Sequence, residues 1–191
     1  VILQSAVNSL GSVSVAAMTA GNKISFIFSS AFESMGTTMA TYCSQNLGAK
    51  EYDRTKKGAL FGTICGIGIA EVIGIAVFFF SPYLIAAFGG DQKAIEYGIA
   101  EAHTIALFYC LLAFSHCMAA IQRGAGRSIV PMFVMMLVWC GVRVTYISIV
   151  IRIIPVINVI YWAYPLTWFI SSVIFLILFL KTDWIHGLEK Q

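Results

Sequence analysis

Long apolar stretches alternate with short polar interruptions along the whole chain. Read in order, they are Ser14–Asn46 (most apolar after Lys23), Lys57–Phe80, Glu96–Ile121, Ser128–Ile151 and Val156–Leu180. Each exceeds the roughly 20 residues that an α-helix needs to cross a hydrocarbon core. The interruptions carry turn and stop residues: Ser81-Pro82 closes the second stretch, Gly89-Gly90-Asp91 precedes the third, and Lys181 ends the last. The opening run, residues 1–10, is too short to span and reads as the tail of a helix that begins before Val1. The pattern predicts an all-α polytopic membrane bundle with five full spans, a helical remnant before them and a polar tail at 181–191.

Composition agrees. Hydrophobic residues make up 59% of the 191 and charged residues 11%, against about 25% charged in a soluble domain. The partner this surface expects is a lipid bilayer, and the net charge of +3 gives no reason to expect nucleic acid. The five cysteines (Cys43, Cys65, Cys110, Cys117, Cys140) lie in apolar segments without metal-site spacing, as small buried hydrophobes do.

Charge distribution orients the chain. If each span crosses once, Lys50, Arg54, Lys56, Lys57, Arg123, Arg127, Lys181 and Lys190 share one side, while Lys23, Lys93 and Arg152 occupy the other. Basic connectors gather in the cytoplasm, so loops 47–56 and 122–127 and the C-terminus are expected there, in a cell membrane. Within the second span Gly62 and Gly66, followed by Gly68 and Gly74, predict close helix contacts, since small side chains let helices approach in lipid.

Ionisable groups inside the spans are the candidates for function, because hydrocarbon makes them costly. Glu33 and Glu71 each lie about 20 Å, and Arg143 about 24 Å, from the basic end at ~1.5 Å per residue. His116 lies lower, about 10 Å from that end. Two carboxylates and one guanidinium leave a negative charge over, which suits a proton, sodium or an organic cation. A structural Glu–Arg pair beside a second, neutral glutamate is the alternative. Glu33 has the more suggestive setting: Ser29, Phe32, Glu33, Gly36 and Ala40 form one stripe at helical spacing, either a cavity wall for flat cations or a packing surface. No serine-hydrolase elbow, HExxH pair or phosphate loop is present, so an enzyme is not expected.

Several motifs occur in a familiar order. SQNLGAKEYDR (Ser44–Arg54) resembles the QN-x-GA-x-x-x-x-R signature of the multidrug and toxic compound extrusion (MATE) family, and LGSVSVAAM (Leu10–Met18) resembles its LG-x-x-x-x-AA helix start. IQRGAGRSIVPM (Ile121–Met132) resembles the G-x-G-[RKD]-[ST]-x-x-P-M loop; Arg143 and the P-x-[ST]-W element in YPLTW (Tyr164–Trp168) follow in order. The resemblance implies a six-helix lobe of a twelve-helix transporter, here the C-terminal lobe with its first helix truncated and a missing N-terminal lobe as partner. It implies antiport, in which protons or sodium drive export of hydrophobic or cationic compounds, with no other cofactor. The position that is acidic in one branch falls on Leu112, so the main coupling site is expected outside this chain. Gln45, Asn46, Gly48, Ala49, Arg123 and Gly124 are then structural signature residues. Gly48 is expected to end its helix in a left-handed cap, and Gln45 and Asn46 to satisfy helix-end carbonyls.

Overall fold

The computed structural model describes residues 2–89 and 91–185, apart from the side chains of residues 2, 28, 29 and 32. The helices are α1 (Ile2–Ser9), α2 (Ser12–Gly48), α3 (Tyr52–Ala87), α4 (Gln92–Ala106), α5 (Tyr109–Gly124), α6 (Ile129–Ile153) and α7 (Asn158–Lys181). There is no strand among the described residues. The fold is an all-α bundle.

Among the described residues α3, α6 and α7 are long and apolar enough to cross a membrane, and α4 with α5 form a bent pair that makes a fourth candidate. Side chains such as Phe61, Val72, Phe79 and Leu180 stand exposed on the outer surface, as lipid-facing residues do. Helix α2 is as long as α3, but one face is polar. Ser30, Ser34, Thr37, Thr38, Thr41 and Ser44 are exposed, and each donates its hydroxyl proton to a carbonyl three or four residues back. That stripe keeps α2 below the hydropathy of its neighbours and satisfies its own hydroxyls.

Hairpin α2–α3 closes by a Schellman turn. Lys50 N–H donates to Leu47 O (3.0 Å) and Glu51 N–H to Asn46 O (2.9 Å). The left-handed residue is Lys50, at φ 61°, and Gly48 is still helical. This corrects the expectation for Gly48: the left-handed position falls two residues after the glycine, on Lys50. Asn46 Nδ2 donates to Tyr42 O (2.8 Å), and Tyr42 Oη donates to Arg54 O (3.0 Å), tying the two helices together. The α5–α6 turn uses the same geometry with a glycine in place: Gly126 sits at φ 79°, and Arg127 N–H reaches Gln122 O at 2.9 Å.

Helix α3 runs on through Ser81-Pro82, where the sequence suggested a stop. Proline removes the N–H that would bond Phe78 O. Two side chains use that carbonyl instead: Ser81 Oγ donates to it at 3.2 Å and His103 Nε2 from α4 at 3.0 Å. The His103 ring stacks on Phe78 at 4.2 Å.

The third apolar stretch is not one straight rod. Its two helices meet at 53° around Leu107–Phe108. The bend presses the Ala106 carbonyl onto Gly74 of α3, leaving no room for a Cβ. Gly62 and Gly66 likewise face Met39 and Cys117, whereas Gly68 has open space around it. Gly124 backs onto α2, where a Cβ would lie 2.6 Å from Ala40 O. Close approach at these glycines holds α2, α3 and α5 together, as expected where lipid supplies no hydrophobic drive between helices.

Candidate functional site

A cleft of about 420 Å³ opens between α2, α4, α5, α6 and α7. Helix α2 contributes Asn22, Ser25, Phe26 and Glu33; α4 contributes Glu101 and Ile105; α5 contributes Tyr109, Leu112 and His116. Trp139 and Arg143 come from α6, and Tyr164 and Trp168 from α7. Five aromatic rings and four ionisable side chains besides the tyrosines therefore converge on one hollow.

Arg143 follows directly on a π-helical segment, Met136–Val142, a distortion frequent at functional sites. Its Nη2 donates to Thr167 Oγ1 at 2.7 Å, and Thr167 passes its own proton to Ala163 O (2.9 Å) or Tyr164 O (3.0 Å). The guanidinium lies 4.3 Å from the Tyr164 ring centre and 5.9 Å from that of Trp139. Its charge rests on aromatic faces and a hydroxyl, while Nε is buried without a hydrogen-bond partner. The Y-P-x-T-W element thereby has a physical role. Tyr164 and Thr167 seat the arginine, and Trp168 packs beside Tyr109 in the core.

Below the arginine, a hydroxyl cluster joins three helices. Ser115 Oγ lies 2.9 Å from Ser171 Oγ and 3.0 Å from Ser172 Oγ; Trp139 Nε1 donates to Ser171 at 3.3 Å. Ser172 then donates to Leu111 O at 3.1 Å. Trp139 is thus fixed edge-on to His116, with ring centres 5.5 Å apart.

Of the residues expected from sequence, Glu33, His116 and Arg143 meet in this cleft. Glu33 stands exposed at its edge. Glu71 does not join them: it is on α3, away from the lining, with Oε2 buried and unpartnered. The α2 stripe splits, since Gly36 faces Ala120 and Ala40 faces Gly124. The side chains of Phe32 and Ser29 lie outside the described residues. Of the signature residues, Gly124 serves helix contact, Asn46 bonds within α2, Gln45 O accepts from Ala49 N–H, and Arg123 is exposed at the end of α5.

The residue that sequence reasoning passed over is Glu101. It is 1% exposed, and its Oε2 has no hydrogen-bond partner. The carboxylate presses on the Cα of Gly21, where a Cβ could not fit. The sequence does hold a signal. Glu101, Ile105, Leu112 and His116 all line the cleft and recur at helical spacing.

With this geometry in hand, comparison with known proteins is decisive. The MatE family model matches residues 1–149. The chain belongs to the MatE family of transporters. Its fold superimposes on an outward-facing multidrug resistance MATE family transporter of the MOP superfamily at TM-score 0.89 and 20% identity, covering 95% of this chain and 41% of that one. A MOP superfamily transporter from Pyrococcus furiosus Vc1, reported with reversed polarity of its binding pocket, gives TM-score 0.87 at 19% identity over 94% of this chain and 40% of its own. A MATE structure in complex with MaD3S gives 0.88 at 18% identity over the same shares. This MatE chain therefore spans about two fifths of the length of the solved transporters it matches. No curated protein matches it.

Proposed function

We propose that this chain is the C-terminal lobe of a cation-coupled exporter that moves organic, chiefly cationic, compounds by alternating access against a second lobe. The cleft is the substrate-facing wall, and the hydroxyl face of α2 borders the aqueous path between the lobes. In this reading the spans cross with their basic connectors in the cytoplasm of a cell membrane.

The carrying observation is the cleft's charge arrangement. Glu33 and Glu101 face a hollow whose one guanidinium is turned onto Tyr164 and Trp139. An aromatic hollow with a surplus carboxylate attracts a flat cation through ring faces and charge together. Glu101 Oε2, buried without a partner, is the group that a bound proton, sodium ion or substrate cation would satisfy. It gives this lobe an acidic group at a place other than Leu112.

One observation favours a second reading. Arg143 Nε is unsatisfied beside the cleft, and an anionic substrate, such as a lipid-linked saccharide, would be drawn to it. Binding decides between them. In the full-length protein, titration with tetraphenylphosphonium is expected to show affinity about tenfold weaker in Glu101→Gln and Glu33→Gln, equivalent to roughly 1.4 kcal/mol. Unchanged affinity in both variants, or binding of an anionic amphiphile in place of the cation, contradicts the exporter reading.

A further inference from the structure

A second hollow, of about 450 Å³, lies at the other end of the molecule, outside the cleft. Helices α3 and α7 each pack on α5 and hardly on one another. This leaves a furrow whose floor is Phe114 and Met118 of α5. Its walls are Leu60 from α3 and Leu176 and Leu180 from α7, and all three are exposed.

The furrow is closed at one end by chain folding back after α7. Arg127 Nη2 donates to Asp183 O at 2.8 Å, pinning that segment, and Trp184 is buried against Phe179 with ring centres 4.9 Å apart. At this end stands Lys56, exposed, and among the described residues no carboxylate lines the hollow. Thr63, which spends its hydroxyl proton on Ala59 O, lies about 10 Å deeper along α3. The lining thus grades from one ammonium group to an apolar interior over part of an acyl chain's length.

We infer that this furrow binds one anionic phospholipid, with an acyl chain between α3 and α7 and its phosphate on the ammonium of Lys56. Charge complementarity selects the occupant: a zwitterionic lipid offers the same chain but carries no net charge for Lys56. Lys57 belongs to the same basic end but does not line the hollow, and so serves as an internal control.

Bromine on an acyl chain quenches a tryptophan it touches, and Trp184 lines the furrow. Full-length transporter is reconstituted in bilayers containing dibrominated phosphatidylglycerol or dibrominated phosphatidylcholine. The Trp184 signal is taken as the difference from a Trp184→Phe variant. Quenching of that signal is expected at about fivefold lower mole fraction of the glycerol lipid, the preference one lysine near a headgroup supports. Lys56→Gln should abolish the preference, and Lys57→Gln should leave it intact. Equal quenching by the two lipids overturns the inference, as does equal loss in the two lysine variants, which would mean diffuse attraction. So does no lipid-dependent quenching of Trp184, the result expected if the chain beyond Ile185 fills the furrow.

Discussion

Arg143 shows how a single charge is accommodated within a membrane bundle. Its stem comes from α6, but Thr167 and Tyr164 of α7 define where the guanidinium lies. Lysine has neither the planar face that stacks on Tyr164 nor the fork that reaches Thr167 from that position. Arg143→Lys in the full-length protein is expected to be destabilised by about 1 kcal/mol, seen as a lower thermal midpoint. Tyr164→Phe, which keeps the ring, should leave the midpoint near that of the parent. Equal destabilisation by the two changes would show that the ring face is not what holds the arginine. Arg143 was legible in the sequence as a lone cation at depth; its partners were not, because hydroxyl and aromatic neighbours carry no charge pattern. Glu101 was hidden for a different reason. It lies close to the start of its apolar stretch, where a glutamate reads as interfacial, and only its packing on Gly21 reveals that it is enclosed.

Among the helices, the apolar periodicity conveyed the elements but not their breaks. Pro82 looked like a terminus, yet α3 continues because Ser81 and His103 take over the carbonyl that proline leaves free. The bend between α4 and α5 has neither glycine nor proline at its vertex, so the local sequence does not mark it. It is matched from across the bundle, where Gly74 admits the Ala106 carbonyl. Gly74→Ala should then cost about 1–3 kcal/mol through overpacking, whereas Gly68→Ala, facing open space, should be tolerated; thermal midpoints of the two variants check this. Equal midpoints would mean the bend is not keyed to Gly74. The α2–α3 turn makes the opposite test. Lys50 occupies a left-handed position that glycine adopts without a Cβ clash. Lys50→Gly is expected to stabilise the protein by about 1 kcal/mol, and a lowered midpoint would contradict the turn as described.

At the scale of the whole molecule, bundle class and family were readable from hydrophobic runs and from motifs that the fold brings together. The QNLGA and GAGR segments form turns at the same end, beside the folded-back chain at Trp184. What the sequence did not supply was which intramembrane charges share a space. Equal depth suggested Glu33, Glu71 and Arg143, but helix rotation turns Glu71 away and brings Glu101 in. The cleft so assembled is acidic and aromatic, and the central proposal is that it passes cations. Gradient-driven efflux from proteoliposomes of the full-length protein tests that most directly. An inward proton or sodium gradient is predicted to drive a cationic dye out of its host compartment, with collapse on adding ionophore and about tenfold slowing in Glu101→Gln. No gradient-dependent movement across a broad panel of cations, or an unslowed Glu101→Gln variant, would contradict it.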